Sequence, residues 1–179
     1  MKRAIVAVVL VLALGWTAFA TTGPCYTVFE DLADSKHDER MWNAAIFGGA
    51  GVLVAGLAVL DSGSSAAPMV AISAVVFGLP AAAYALIPSR VEREWNDLVR
   101  SGVTETGCVV RLSRVAERGE RTRYIRAVGN GALSLASLAI GDFYTFLFEG
   151  GYAAYRLLMP SEEEKAYERY LAISQGIAP

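Results

Sequence analysis

An all-α membrane fold is what this sequence predicts: a signal peptide, then two tandem antiparallel helical hairpins arising by internal duplication, each followed by a short amphipathic surface helix. Three observations lead there. Two uncharged apolar runs have the length of membrane spans, a later part of the chain repeats an earlier one, and the first residues have the makeup of an export signal.

The spans come from the distribution of charge. Of 179 residues, 54% are hydrophobic and 19% charged, against about 25% charged in an ordinary soluble domain. The deficit is local: no charge lies between Arg40 and Asp61, and none between Asp61 and Arg90. Within these gaps, Trp42–Leu60 and Pro68–Ile87 supply 19 and 20 uncharged residues, and crossing a bilayer takes about 20. The short polar linker between them makes the pair an antiparallel hairpin. Gly48, Gly49 and Gly56 stand among small residues at four-residue spacing, a pattern that lets helix backbones approach closely in lipid. Gly131 plays that part in the second hairpin, and Pro80 is expected to kink the return helix.

The export signal is read from residues 1–20. Lys2-Arg3 precedes an apolar core, and Ala18 and Ala20 form a small-x-small cleavage site. Residues 21–41 are then an exported, charged approach segment. Its Glu30, Asp34, His37 and Asp38 share one helical face, which reads as a solvated surface rather than a metal site. With two cysteines and one histidine in the chain, no Cys/His zinc centre is expected, and no cofactor.

The duplication rests on a string that occurs twice. Pro88, Ser89, Glu92, Arg93 and Trp95 match Pro160, Ser161, Glu164, Lys165 and Tyr167 at a constant offset of 72. Upstream, Trp42, Gly49 and Ala50 match Tyr124, Gly131 and Ala132 at an offset of 82. In both strings proline ends one helix, and serine with glutamate three residues on forms a capping box that starts the next. The resulting division is a first hairpin repeat with its surface helix over 42–98, an Arg-rich amphipathic connector over 99–123, a second, shorter repeat over 124–171, and a tail over 172–179. The second hairpin has only 15 uncharged residues in its longest run, Ala127–Gly141, and its return helix carries Glu149 and Arg156. Glu149 is the candidate intramembrane charge, a costly group at mid-bilayer; Arg156 is near enough to an end to snorkel.

Each hairpin returns to the side it left, so the approach segment, the middle segment and the tail share one side of the membrane. The signal makes that side extracytoplasmic, against the nine arginines of residues 88–126, which alone would favour the cytoplasm. Cys25 and Cys108 both fall in exported segments, and a disulfide between them is expected there. A net charge of −2 gives no attraction to nucleic acid. No nucleophile elbow or phosphate loop is present, so no enzyme is expected. The expected function is a structural or assembly role in the cell envelope, with the bilayer as partner and a second copy or another envelope protein beside it. A small oligomeric channel or transport subunit acting through Glu149 is the alternative.

Overall fold

The computed structural model describes residues 23–62 and 67–177; the expected signal peptide, residues 1–20, lies outside them. Every regular element among the described residues is helical: α1 (Pro24–Ser62), α2 (Ala67–Ser73), α3 (Leu79–Leu86), α4 (Arg90–Ser101), α5 (Glu105–Ala139), α6 (Phe143–Leu158) and α7 (Glu162–Ser174). A π-helical turn, Ala74–Gly78, joins α2 to α3. Two compact units form. One is residues 33–97; the other combines the start of α1, through Leu32, with the chain from Leu98 onward.

Helix α1 runs without a break through Trp42, and α5 runs without a break through Tyr124. The change from charged to apolar composition at those residues is therefore a change of surroundings, not of backbone. No proline or glycine falls there to end a helix.

In the unit of residues 33–97, α1 and the α2–π–α3 arm form an antiparallel hairpin. Phe47 stacks on Tyr84 with ring centroids 5.7 Å apart, Gly48 comes close to Ala81, and Gly51 to Phe77. Deeper in the hairpin the Ser73 hydroxyl donates to the Gly51 carbonyl at 2.8 Å. A Cβ on Gly51 would meet the Phe77 Cβ at 3.0 Å, so the absent side chain sets the approach of the arms there. The break expected at Pro80 takes the form of the π turn. Pro80 brings no N–H, and its ring crowds the carbonyl of Val76, which lies inside that turn.

These arms leave their apolar side chains uncovered. Two helical stretches, Pro24–Leu60 and Ala67–Ser101, are long and apolar enough to cross a membrane, and in each only 6% of the most apolar window is buried. Val52, Leu53, Leu57, Met69, Ile72 and Leu79 all lie exposed.

The other unit has a core of its own. Cys25, Phe29 and Leu32 are buried there, as are Leu98, Cys108, Leu112 and Val115. Its hairpin, α5 with α6, turns at Gly141, where φ is +81° and only glycine is at ease. Asp142 caps α6, accepting from the Thr145 N–H at 3.1 Å and its hydroxyl at 2.6 Å. The seam again holds a serine: the Ser134 hydroxyl donates to the Phe146 carbonyl at 2.8 Å. With 16 residues, α6 is about 24 Å long, short of the ~30 Å hydrocarbon core.

Candidate functional site: two arginine clamps and a disulfide

The Pro-Ser-x-x-Glu string leaves polar backbone groups without partners. In a helix the carbonyl four residues before a proline loses its donor, because proline has no N–H. At the end of α3 that carbonyl belongs to Tyr84. The next, Ala85, loses its donor too, because the Ser89 N–H turns to Glu92 Oε2 at 2.5 Å. Arg40, across the hairpin, fills both vacancies. Its Nη1 donates to Tyr84 O at 2.5 Å and to Ala85 O at 2.8 Å. Its Nε and Nη2 reach the two oxygens of Glu92, each at 3.0 Å. The Glu92 N–H donates to Ser89 Oγ at 3.2 Å, completing the capping box of α4. One guanidinium thus ties the end of one helix to the start of the next.

The same construction stands in the other unit. The Arg156 and Leu157 carbonyls precede Pro160 and Ser161 by four residues. The Nη1 of Arg123 donates to them at 3.2 and 2.8 Å, and its Nη2 donates to Glu164 Oε1 at 2.9 Å. Ser161 and Glu164 form the capping box of α7. Glu92 and Glu164 stand 72 residues apart, and Arg40 and Arg123 stand 83 apart. The arginine spacing is one residue longer than the 82 that separates the aromatic and glycine matches.

The clamps differ in saturation. In the first, His37 Nδ1 lies 2.9 Å from Glu92 Oε1 and 3.1 Å from Arg40 Nη2. In the second, the Nε of Arg123 is buried with no hydrogen-bond partner. Burial alone would raise the Glu92 carboxyl, but hydrogen bonds from Arg40, the Ser89 backbone and His37 outweigh it and hold the group at about 2. Burial acts the same way on Glu164, and there Ser161 and Arg123 lower its pKa below the ordinary value. Burial also opposes the charge on Arg123, and Glu164 more than restores it. Both glutamates lie beyond the apolar stretches of their hairpins.

The third feature is the disulfide. Cys25 and Cys108 are bonded, with Cα atoms 6.1 Å apart and both side chains fully buried. Around it, the Cys25 N–H donates to Glu105 Oε1 at 2.8 Å, which places a carboxylate at the N-terminus of α1, where the helix dipole favours it. The Tyr26 hydroxyl donates to the Val103 carbonyl. Glu105 Oε2 is buried and unpartnered, and a Cβ on Gly23 would collide with it.

The other residues singled out from sequence fall as follows. Glu149 is half-buried, midway along α6. Arg156 turns to its own helix, donating to the Tyr152 hydroxyl and lying over that ring, 5.0 Å from its centroid. Gly48 faces Ala81 across its hairpin, whereas a Cβ on Gly49, Gly56 or Gly131 would meet nothing within 4 Å. Of the charged face of α1, His37 joins the first clamp; beside that face, Asp31 pairs with Arg169 at 3.0 Å. Among the described residues no three His, Cys, Asp or Glu side chains gather in a metal-holding group.

Arg40, Arg123, Glu105 and Tyr26 were not marked by sequence reasoning. The signal for the two arginines was available: each Pro-Ser pair leaves two carbonyls open, and an arginine near the mouth of each hairpin is the group that fits them. Compared with sequence models of protein families, with curated proteins and with solved structures, the chain matches none.

Proposed function

We propose that this chain is a non-enzymatic integral membrane protein of the cell envelope with a structural or assembly role. The observation that carries this reading is the bareness of the first hairpin. A core helix of a soluble protein is mostly covered, whereas these two apolar stretches bury 6% of their windows. Lipid is the surrounding that makes such a surface stable.

Three further observations support an exported protein built by duplication. A buried disulfide persists in an oxidising compartment. The two clamps use the same residue types on the same kinds of backbone group. At the 83-residue register, Cys25 also coincides with Cys108, Phe29 with Leu112 and Leu32 with Val115, and all six are buried. On this reading each repeat is a hairpin held at its mouth by an arginine, and the disulfide joins the repeats at like positions. Both hairpins enter the membrane from the extracytoplasmic side.

Alkaline carbonate extraction of membranes tests the reading. The protein is expected in the pellet, retained even when Cys108→Ser removes the disulfide. Release of wild-type protein into the supernatant would end the membrane assignment.

A further inference from the structure

We propose that the second hairpin, α5 with α6, crosses the membrane although it is too short for an average bilayer, and thins the lipid around it. Its turn at Gly141 and Asp142 then lies among the headgroups of the far leaflet. The inference rests on the membrane reading above, which sets the side from which the hairpin enters.

The hairpin is polar inside and apolar outside. Between Arg126 and Gly141 its polar side chains are Asn130, Ser134 and Ser137, all buried or half-buried. Between Asp142 and Leu158, Thr145, Glu149 and Arg156 are half-buried. The outside is left to residues such as Val128, Leu133 and Leu135 on α5 and Leu147, Phe148 and Leu158 on α6, all more than half exposed. Water favours the reverse arrangement, and lipid favours this one.

The depth follows from two exclusions. A hairpin lying along the surface keeps a polar face for the headgroups. Among the described residues, α5 exposes no polar side chain between Arg126 and Gly141, and α6 only tyrosines between Asp142 and Leu158. A hairpin that stopped halfway would leave its turn in hydrocarbon. Gly141 and Asp142 are both exposed; lipid-exposed irregular backbone is not tolerated at that depth, and a carboxylate is costly there. The turn therefore belongs in polar surroundings, as does the mouth. Tyrosines stand at both ends, Tyr124 and Tyr155 at the mouth and Tyr144 beside the turn, where rings with a polar tip favour the two interfaces.

Length then sets the consequence. From Tyr124 to Ala139 α5 rises about 23 Å, and α6 rises about 24 Å. Arg126 lies within that length, and its stem can lift the guanidinium to the headgroups. An average hydrocarbon core is thicker by about 6 Å. A short span is met by local thinning of the bilayer, at modest cost per ångström.

Ile140, 82% exposed beside the turn, is replaced by cysteine in the full-length chain, whose native cysteines are bonded to each other. In cells, impermeant maleimide is expected to label Ile140→Cys only after permeabilisation, and Tyr144→Cys, across the turn, to behave alike. Labelling in intact cells overturns the proposal, because the turn is then on the side of entry. No labelling after permeabilisation also overturns it, because the turn is then in hydrocarbon. Leu133→Cys, halfway along the arm, is expected to stay unlabelled; labelling as fast as Ile140→Cys would mean that no lipid surrounds the arm and overturns it too. Purified protein in phosphatidylcholine vesicles tests the thinning. With permeant maleimide, Ile140→Cys is expected to label on the order of tenfold faster in thin dimyristoleoyl bilayers than in thick dierucoyl ones. Equal rates overturn the thinning. Carbonate extraction keeps the two readings apart. Pelleted protein whose Ile140→Cys labels in intact cells refutes this inference alone, and soluble protein refutes both.

Discussion

The two clamps are built on one plan, and they differ in how fully the arginine is satisfied. Arg40 engages both oxygens of Glu92 and both open carbonyls, with His37 against the same carboxylate. Arg123 reaches one oxygen of Glu164 and leaves Nε buried without a partner. The difference goes with the surroundings of each hairpin. The first carries two spanning-length arms with little protein around them, so its mouth is held by its own polar contacts. The second lies in the unit that also holds the disulfide and a buried apolar core, and a looser clamp suffices there.

The largest expected effect separates the clamps directly. Arg40→Ala strands a buried carboxylate and two carbonyls, and the loss of one partner from such a pair costs about 3–5 kcal/mol. Arg123→Ala is expected at the lower end of that range or below it, because its pair is single and its Nε contributes nothing. Thermal unfolding of both variants in detergent checks the order. Equal losses would mean that the bidentate geometry of Arg40 adds no stability.

Acid titration sharpens the same contrast. The Glu92 carboxyl is held at about 2 in the fold against an ordinary 4.5. Its contribution is fully present above pH 4.5 and is lost as pH falls through about 2. A shift of that size corresponds to roughly 3 kcal/mol. Glu92→Gln is expected to flatten the fall in stability between pH 5 and 2. Glu164→Gln is expected to flatten it less. A Glu92→Gln protein that loses stability with acid as steeply as wild type would contradict the clamp.

His37 is the part that only the first clamp has, since the residue 83 positions on is Glu120. His37→Phe removes one hydrogen bond to a charged group from a half-exposed side chain and is expected to cost about 1.5 kcal/mol, read as a fall in Tm. The smallest effect is expected at Glu149, which stands 72 residues after Phe77. Glu149→Gln removes a half-buried charge and is expected to change stability by less than about 0.5 kcal/mol and to insert as well as wild type. A deletion phenotype that Glu149→Gln reproduces would favour a transport role over a scaffold.

Much of the fold could be read from residues because its signals are local. Uncharged length marks the arms, and Pro-Ser-x-x-Glu marks where one helix stops and the next begins. The turn at Gly141 needs positive φ. The clamps were harder to see. Glu92 and Glu164 were read as caps, which they are, but each also takes a guanidinium from more than 40 residues away, and no local pattern names that donor. The upstream register was set on Trp42 and Gly49, surface and packing residues whose identity is loosely constrained. The contacting residues are spaced differently: Arg40 and Arg123 stand 83 apart, as do Cys25 and Cys108. Glu105 was read only as part of a charged middle segment. Its role at the head of α1 follows from a contact across 80 residues.

Impermeant maleimide labelling in intact cells tests the membrane hairpin most directly. Two single-cysteine additions are compared in the full chain: Ser64→Cys in the loop between the spanning arms, and Gln175→Cys after α7. With both hairpins entering from the extracytoplasmic side, Gln175→Cys labels in intact cells and Ser64→Cys labels only after permeabilisation. Labelling of Ser64→Cys from outside, with Gln175→Cys also labelled, would place the turn of the first hairpin on the same face of the membrane as the tail and contradict a spanning hairpin.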